Sequence, residues 1–463
     1  MKLRTYFFGA VLLLTGCSLN QNSKFDNPVL SIEGGQVQGV VIDSANVIVY
    51  RGIPYAAPPV GDLRWKRPQP VKAWDTLMIA DTFRDAAMQQ AFDPKDASYG
   101  TEYYYGNDNP NFSEDCLYLN VWTPASAAGH PTKKLPVALW IHGGGYAVGW
   151  GFEREFDGVA WAQRDVIMVT FHYRLGGLGF LNYPELSAED PDGVSGNYGL
   201  LDQIAALKWV KKNIAAFGGD PDNITIFGQS AGGASVRNLC ISPMSKGMVA
   251  KAIIQSGGGL SDLVSTNLKS QVELDELSKS LFEKEGYNSL AELRAECADT
   301  IFKVTQKINE GKPVPFRPHQ DGVVLPQSFE EATYSGSIAD IPYMIGYTAG
   351  DIGNMRKPIL NFAAVRDSLS EQPTYCYVFD RELPNDGRPS LQGAFHSCDL
   401  WYVFHTLGRS WRPFTEADFR LSDEVVDAWT NFAKYGNPNG KGDDAWKPAT
   451  REQPFFYSFN IKE

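Results

Sequence analysis

Apolar and polar positions fall into blocks that read as alternating strands and helices. Short apolar runs rich in β-branched and aromatic residues recur at Leu135–Ile141, Val166–Phe171, Ile224–Gly228, Ala252–Gln255, Tyr343–Gly346 and Tyr375–Phe379, and they predict buried strands. Between the second and third, Tyr198–Ile214 places Leu201, Ile204, Leu207, Val210 and Ile214 three or four residues apart, the period of a helix face. Gly218-Gly219-Asp220-Pro221 then stops that helix. Such strand–helix–strand units imply an α/β fold, a mostly parallel sheet with helices on both faces. Upstream, Gln36–Ile42 and Val47–Tyr50 read as a hairpin at the sheet edge, followed by the Pro-rich stretch Arg51–Pro70. Residues 261–310 are helical and charged, which predicts an inserted helical region. Length alone, at ~150 residues per domain, suggests about three domains. No internal repeat or Ser/Gly linker divides the chain, however, and residues 28–463 read as one elaborated domain.

The first 27 residues follow a different pattern. Lys2 and Arg4 precede an apolar run, Tyr6–Leu14, too short to span a bilayer, and Leu14-Thr15-Gly16-Cys17 closes it. This reads as a secretory signal over residues 1–16, and the tetrapeptide resembles the bacterial lipobox, in which the final Cys is lipidated. The expectation is an exported protein anchored through Cys17 to a bacterial membrane, on its periplasmic face or at the cell surface, with residues 17–27 as a polar tether. Ordinary cleavage with Cys17 as a bystander is the alternative. The whole chain carries a net charge of -12, and removal of Lys2 and Arg4 makes the body more acidic still. That charge argues against general affinity for nucleic acid or anionic lipid, so membrane association rests on lipid rather than on basic residues. With 43% hydrophobic residues and abundant Trp, Tyr and Phe, the chain can bury a large core. Its 44 Gly and 28 Pro exceed the usual share of about 12% and favour a sheet with many tight turns.

Beyond Cys17 lie Cys116, Cys240, Cys297, Cys376 and Cys398, an odd number, so at least one thiol is free. There is no CxxC pair and no HExxH, and the histidines are well separated, which leaves a metal site without support.

The candidate chemistry centres on Gly228-Gln229-Ser230-Ala231-Gly232, which directly follows a predicted strand and precedes a small-residue stretch suited to a helix start. That context matches the sharp strand-to-helix turn that exposes a nucleophilic serine. At a helix N-terminus the dipole and free amides favour negative charge, and the Ala231 N–H can face a developing oxyanion. A second glycine segment, His142-Gly143-Gly144-Gly145, follows the strand Leu135–Ile141 at once. Its Gly144 and Gly145 amides are the candidate partners of Ala231, each such donor being worth roughly 3 kcal/mol of transition-state stabilisation.

Taken together these segments resemble the type B carboxylesterases, the α/β-hydrolase family that includes the cholinesterases, from about Gly34 to the C-terminus. The matching stretches are Tyr50–Ala56, Ser113–Val121, the His-Gly-Gly-Gly segment, Gly196–Gln203, Phe217–Pro221 and Gly228–Gly232, in family order. The resemblance implies a Ser–acid–His esterase that acts on a small-molecule ester and needs no cofactor. The fold's chain order puts the base after Ser230 and beyond the acid, where His319, His396 and His405 qualify. His319 leaves little room for the acid, and His405 lies on the aromatic stretch Trp401–Leu407 and reads as a packed helix residue. His396, in Gly-Ala-Phe-His-Ser, resembles the family's catalytic His motif. Aligning Gly346 with the family's Gly-x-x-x-Asp-Glu-Gly puts Asp351 where Glu usually stands; Asp321 is a distant candidate. A carboxylate one methylene shorter still orients the imidazole and stabilises imidazolium.

Three departures from the family stand out. Only 45 positions separate Asp351 from His396, which implies shortened helices over the pocket. No Cys stands near Ala86–Gln89 to pair with Cys116, so the family's early disulfide is missing. His172 replaces the Asn of a common Asn-Tyr-Arg sequence and reads as structural. The segment Tyr99, Tyr103, Tyr104 and Tyr105 is either a packed surface loop, the favoured reading, or a substrate rim. Two alternatives stay open: a noncatalytic binding protein on the same fold, and a lipase or amidase variant of the same machinery. Oligomeric state is open as well.

Overall fold

Successive residues of the predicted strands face two different cores. Val137, Leu139 and Ile141 join one buried cluster while Ala138 and Trp140 join the other, and Ile48 and Tyr50 part in the same way from Val47 and Val49. A strand apolar at every position therefore lies between two helical layers. The computed structural model describes residues 26–106, 108–260, 269–309, 316–441 and 444–461. Its main sheet has ten strands: β1 (Val40–Ile42), β2 (Val47–Pro54), β3 (Tyr118–Pro124), β4 (Leu135–Ile141), β5 (Ile167–Phe171), β6 (Gly219–Gln229), β7 (Lys251–Gln255), β8 (Tyr343–Thr348), β9 (Thr374–Phe379) and β10 (Tyr457–Phe459). The spatial order is β1-β2-β3-β5-β4-β6-β7-β8-β9-β10. β5 through β10 run parallel to one another, and β3, β2 and β1 continue the sheet antiparallel. The helices that matter here are α1 (Tyr99–Tyr103), α2 (Tyr198–Asn213), α3 (Ala231–Ile241), α4 (Gln271–Lys284), α5 (Leu290–Ala295) and α6 (Ala298–Asn309).

All six predicted strands are present. The predicted helix at 198 ends one residue early and continues as a 3-10 turn over Ile214–Phe217, closed by Gly218 at φ 86°. Gly219 already belongs to β6, whose register slips between Gly219 and Ile224, so the expected stop signal also starts the next strand.

The predicted hairpin needs correction. Gln36–Ile42 is not one strand: Gly35–Gln38 pairs with Leu30–Ile32 in a separate small sheet, whereas Val40–Ile42 pairs with β2. The break falls at Gly39, where a Cβ would lie 2.7 Å from the Val49 carbonyl oxygen. β2 is also longer than expected, reaching Pro54. β3 and β10 carry no simple apolar run and were not predicted. β3 includes the buried Asn120, whose side chain accepts from the Gly52 amide at 2.9 Å and donates to Thr170 Oγ1 at 3.1 Å.

The charged insertion forms α4, α5 and α6; residues 261–268 and 310 of the predicted stretch lie outside the described residues. Arg64 fastens it to the body. Its guanidinium binds both oxygens of Glu114 at 2.6 Å and the carbonyls of Leu293 and Glu296 at 3.1 and 2.7 Å. Cys116, Cys240, Cys297, Cys376 and Cys398 are all free thiols. In place of a staple at Cys116, Ala86–Ala87 pairs with Phe112–Ser113. The predicted leader, Cys17 and most of the tether lie outside the described residues. Among those described, no helix is long and apolar enough to cross a membrane.

Candidate active site

Ser230 occupies the turn between β6 and α3 with φ 58° and ψ −124°, a left-handed conformation that a side-chain-bearing residue adopts only under constraint. Two glycines supply that constraint by letting backbone meet backbone. A Cβ on Gly232 would lie 2.0 Å from the Ile141 carbonyl oxygen, and one on Gly228 would lie 2.5 Å from the Gly232 carbonyl carbon. The start of α3 is thus pressed against the end of β4, from which the His142–Gly145 loop springs. Gly143 closes the gap, since a Cβ there would come within 3.2 Å of Ser230 Cβ. Gly144 at φ 95° and Gly145 at φ 64° turn the loop back along the cavity, and Gly144 accepts from Ala147 and Val148 at 3.0 Å. Among the described residues, no loop or cap hydrogen bond takes up the amides of Gly144, Gly145 or Ala231. These are the three donors expected from the sequence.

Asp351 and His396 arrive on loops beyond β8 and β9. The loops are joined by a short parallel bridge between Gly350 and Phe395, with Gly350 N–H donating to Ala394 O at 2.8 Å. The bridge brings His396 Nδ1 to 2.5 Å from Asp351 Oδ1. A carboxylate at that nitrogen places the ring proton on Nδ1 and leaves Nε2 as an acceptor. In this state the Gln229 side-chain amide donates to Nε2 at 3.2 Å. Asp351 also accepts from Ser256 Oγ at 2.6 Å, Ile352 N at 2.7 Å and Thr348 N at 3.1 Å. Burial alone would raise its pKa, but the His396 hydrogen bond and charge, with Ser256 and Thr348, outweigh burial and hold the carboxyl below its usual 3.8.

Ser230 and His396 together line two adjoining cavities. One is about 300 Å³, walled by the Gly143–Gly145 loop, Phe92, Tyr99, Tyr103, Tyr104 and Phe156. The other is about 60 Å³, between Tyr146, Ala231, Ala234, Gly257 and Met355. The tyrosine segment is therefore both packed and cavity-lining. Tyr103 and Tyr104 are buried, and Tyr103 OH donates to the Ser397 carbonyl at 2.9 Å. Tyr105 lies away from this cavity, its ring under the Arg154 guanidinium at 4.0 Å.

The rejected candidates sit elsewhere. His319 is buried between Gln271 Oε1 at 2.8 Å and Asn182 Nδ2 at 3.0 Å, and burial pulls its pKa down to about 4. Asp321 folds a turn, accepting from the amides of Val323, Val324 and Leu325 at 2.8–2.9 Å. His405 contacts Ser422 Oγ at 2.8 Å, and in place of the packed helix position that its aromatic stretch suggests it follows the short Leu400–Val403 helix at φ 55°. His172 accepts from Gly151 N at 3.0 Å, and burial lowers its pKa to about 3. Three polar residues of the cavity wall carry no signal in the motifs: Gln229, Glu153 and Glu155. Gln229 hid as the variable position of the serine motif. Glu153 and Glu155 looked like surface charges in Phe-Glu-Arg-Glu-Phe, although their alternation with two phenylalanines was a usable signal.

A serine at a strand-to-helix turn, a histidine–carboxylate pair on loops after later strands and a glycine loop after an earlier parallel strand define the α/β-hydrolase class. The chain belongs to the carboxylesterase family, whose model matches residues 26–363 and 351–463. It is 35% identical to fumonisin B1 esterase of Sphingopyxis macrogoltabida over 91% of this chain and 85% of that one. It is 32% identical to para-nitrobenzyl esterase of Bacillus subtilis, over 92% and 94% of the two chains. Among solved structures, a PNB esterase superposes with a TM-score of 0.81 at 29% identity, covering 94% of this chain and 96% of that one. A carboxylesterase of Geobacillus stearothermophilus gives a TM-score of 0.77 at 30% identity, with the same coverage. The reaction class of this protein is carboxylic ester hydrolysis.

Proposed function

We propose that Ser230, His396 and Asp351 form the catalytic triad of this esterase, that Gly144, Gly145 and Ala231 form its oxyanion hole, and that its substrates are small to medium apolar or aryl esters. The observation that carries the reading is the 2.5 Å imidazole–carboxylate pair delivered to the cavity that Ser230 lines. His396 Nε2 takes the Ser230 proton as Oγ attacks the ester carbonyl, and the three amides receive the charge that develops on oxygen. The imidazolium, steadied by Asp351, returns the proton to the departing alcohol. Water, deprotonated by the same His396, then attacks the acyl-enzyme, and His396 returns that proton to Ser230 Oγ as the acyl–oxygen bond breaks and the acid leaves. The aromatic and aliphatic part of the larger cavity's wall, Phe92, Tyr99, Phe156, Val148 and Leu400, favours apolar and aryl groups.

The test is hydrolysis of p-nitrophenyl acetate and butyrate by wild type and Ser230→Ala. Turnover should fall by several orders of magnitude in the variant; equal rates would overturn the assignment. We also propose export and anchoring through lipid on Cys17, supported by the basic–apolar–Leu-Thr-Gly-Cys order of the leader. Several acyl chains, at ~0.8 kcal/mol per buried methylene, hold a protein stably on a bilayer.

A further inference from the structure

The small sheet of Leu30–Ile32, Gly35–Gln38 and Met78–Ile79 has one face in the core and one face in solvent. Leu30, Val37 and Met78 stand in register and pack on the core. Strand alternation turns their neighbours the other way. Ser31 pairs with Gln36 and Gln38 with Ile79 on that outer face, and Val29 and Leu77 extend it one step beyond the strand ends. None of these six side chains is charged, on a chain with a net charge of -12. Val29, Leu77 and Ile79 are 44%, 41% and 48% exposed, three of the ten large apolar side chains left exposed among the described residues. Apolar surface gathered in this way marks an interaction site.

The polar tether meets the body beside this face. Asn27 Nδ2 donates to the Gly39 carbonyl and the Asn27 carbonyl accepts from Gln38 Nε2, both at 2.8 Å, and Gln38 is the strand partner of Ile79. Cys17 and Asp26 are nine positions apart. At no more than ~3.6 Å per residue, a lipid on Cys17 keeps Asp26 within about 32 Å of the bilayer.

The same face lies at the end of the main sheet opposite the catalytic loops. Glu33, in the turn between its first two strands, donates its amide to Asn213 Oδ1 at 2.7 Å and pairs with Lys212 at 2.8 Å, both at the C-terminal end of α2. A Cβ on Gly129 would lie 3.3 Å from the Pro28 ring, and the Gly129 amide donates to Ala216 O at 3.0 Å. From Ala216 the chain enters β6, whose eleven residues lead to Ser230. At ~3.3 Å per residue that is a rise of roughly 30 Å.

Six residues are far fewer than the about 20–30 on each side that a stable protein–protein interface takes. A bilayer asks for less, because the lipid anchor supplies the affinity and the tether turns the second contact into an intramolecular one. Uncharged side chains also enter the headgroup boundary without the cost of desolvating an ion. We propose that the outer face of the small sheet, led by Val29, Leu77 and Ile79, rests on the bilayer that holds Cys17, so that the cavity of Ser230 opens to water on the side away from the lipid. The proposal rests on the lipid anchoring given above and adds to it an orientation.

The test uses the processed lipoprotein in phosphatidylcholine vesicles, with the exposed Cys297 replaced by Ser and an NBD fluorophore on one introduced cysteine. Val29→Cys reports on the face, and Gln392→Cys on the loop that leads to His396. Nitroxide-labelled lipid should quench the label at position 29 at least 5-fold more strongly than the label at position 392. Adding Leu77→Glu and Ile79→Glu to the Val29→Cys protein should cut its quenching at least 3-fold while p-nitrophenyl butyrate turnover stays unchanged. Equal quenching at the two positions, stronger quenching at position 392, or quenching at position 29 that survives both glutamates would overturn the proposal. The anchor is tested separately, by the presence of the protein in the membrane fraction and its release in Cys17→Ser. If Cys17 carries no lipid, the same labelled proteins held on nickel-chelating vesicles by a His tag before residue 18 put the face to the same test, so either reading can fail without the other.

Discussion

Asp351 gathers four hydrogen bonds on two oxygens, from His396, Ser256, Ile352 and Thr348, and this sets both the orientation of the imidazole and the charge of the acid. Replacing it with Asn keeps the size but offers Nδ1 an amide, so the wrong tautomer competes. We expect kcat for p-nitrophenyl butyrate to fall by about 10⁴-fold in Asp351→Asn, with KM changed far less, as read by steady-state kinetics. The same hydrogen bonds tie stability to pH. Because the folded-state pKa is depressed, Asp351 contributes its full stabilisation above 3.8, and that contribution is lost as pH falls through the lower folded value. Glu153 has the opposite sign. Burial raises its pKa from 4.5 to about 7, so the folded state holds a proton that the unfolded state releases, and stability declines as pH rises between those values. Glu153→Gln should flatten that decline in urea midpoints measured from pH 4.5 to 7; an unchanged slope would show that Glu153 titrates normally. Ser230 and His396 were legible because each belongs to a short motif. Glu153 and Glu155 were not, because inward-facing acid in a charged pentapeptide looks in one dimension like a solvated turn.

Between β6 and α3 the close packing of glycine on backbone replaces side-chain packing as the source of precision. A methyl group at Gly232 would meet the Ile141 carbonyl oxygen at 2.0 Å, so the helix start must back away from β4 to accept it. Gly232→Ala should therefore cost on the order of 1–3 kcal/mol in urea unfolding and reduce turnover as well, because Ala231 and Ser230 move with the helix. A second element-level device ties α1 to the C-terminal region. Glu102 and Arg412 are both fully buried, and Trp401 Nε1 adds a 2.9 Å hydrogen bond to the same carboxylate. Arg412→Met leaves Glu102 charged and unpaired, and should cost about 3–5 kcal/mol by the same measurement. The partners are 310 positions apart in sequence, and no local pattern announces such a pair. Nor does local pattern reveal β3, whose Asn120 interrupts the apolar alternation to serve Gly52 and Thr170 across both neighbouring strands.

At the scale of the molecule, a mostly parallel sheet collects at one end the loops that follow β4, β6, β8 and β9, and these loops carry every proposed catalytic group. The sheet was readable in sequence where strands are continuous apolar runs. The edges were not, since Gly39 divides one run between two sheets and the three residues of β10 are too short to signal. The acidic body and the lipobox-like leader give a whole-molecule prediction: Cys17→Ser should shift the protein from the membrane to the soluble fraction, read by fractionation and immunoblot. An unshifted variant would contradict lipid anchoring. The central claim, that Ser230 is the nucleophile, is tested most directly by a fluorophosphonate probe with peptide mass mapping. One equivalent of label is expected, on Ser230, with loss of p-nitrophenyl butyrate turnover in step with labelling and no label on Ser230→Ala. Label on a different residue, or full turnover by an enzyme labelled at Ser230, would contradict it.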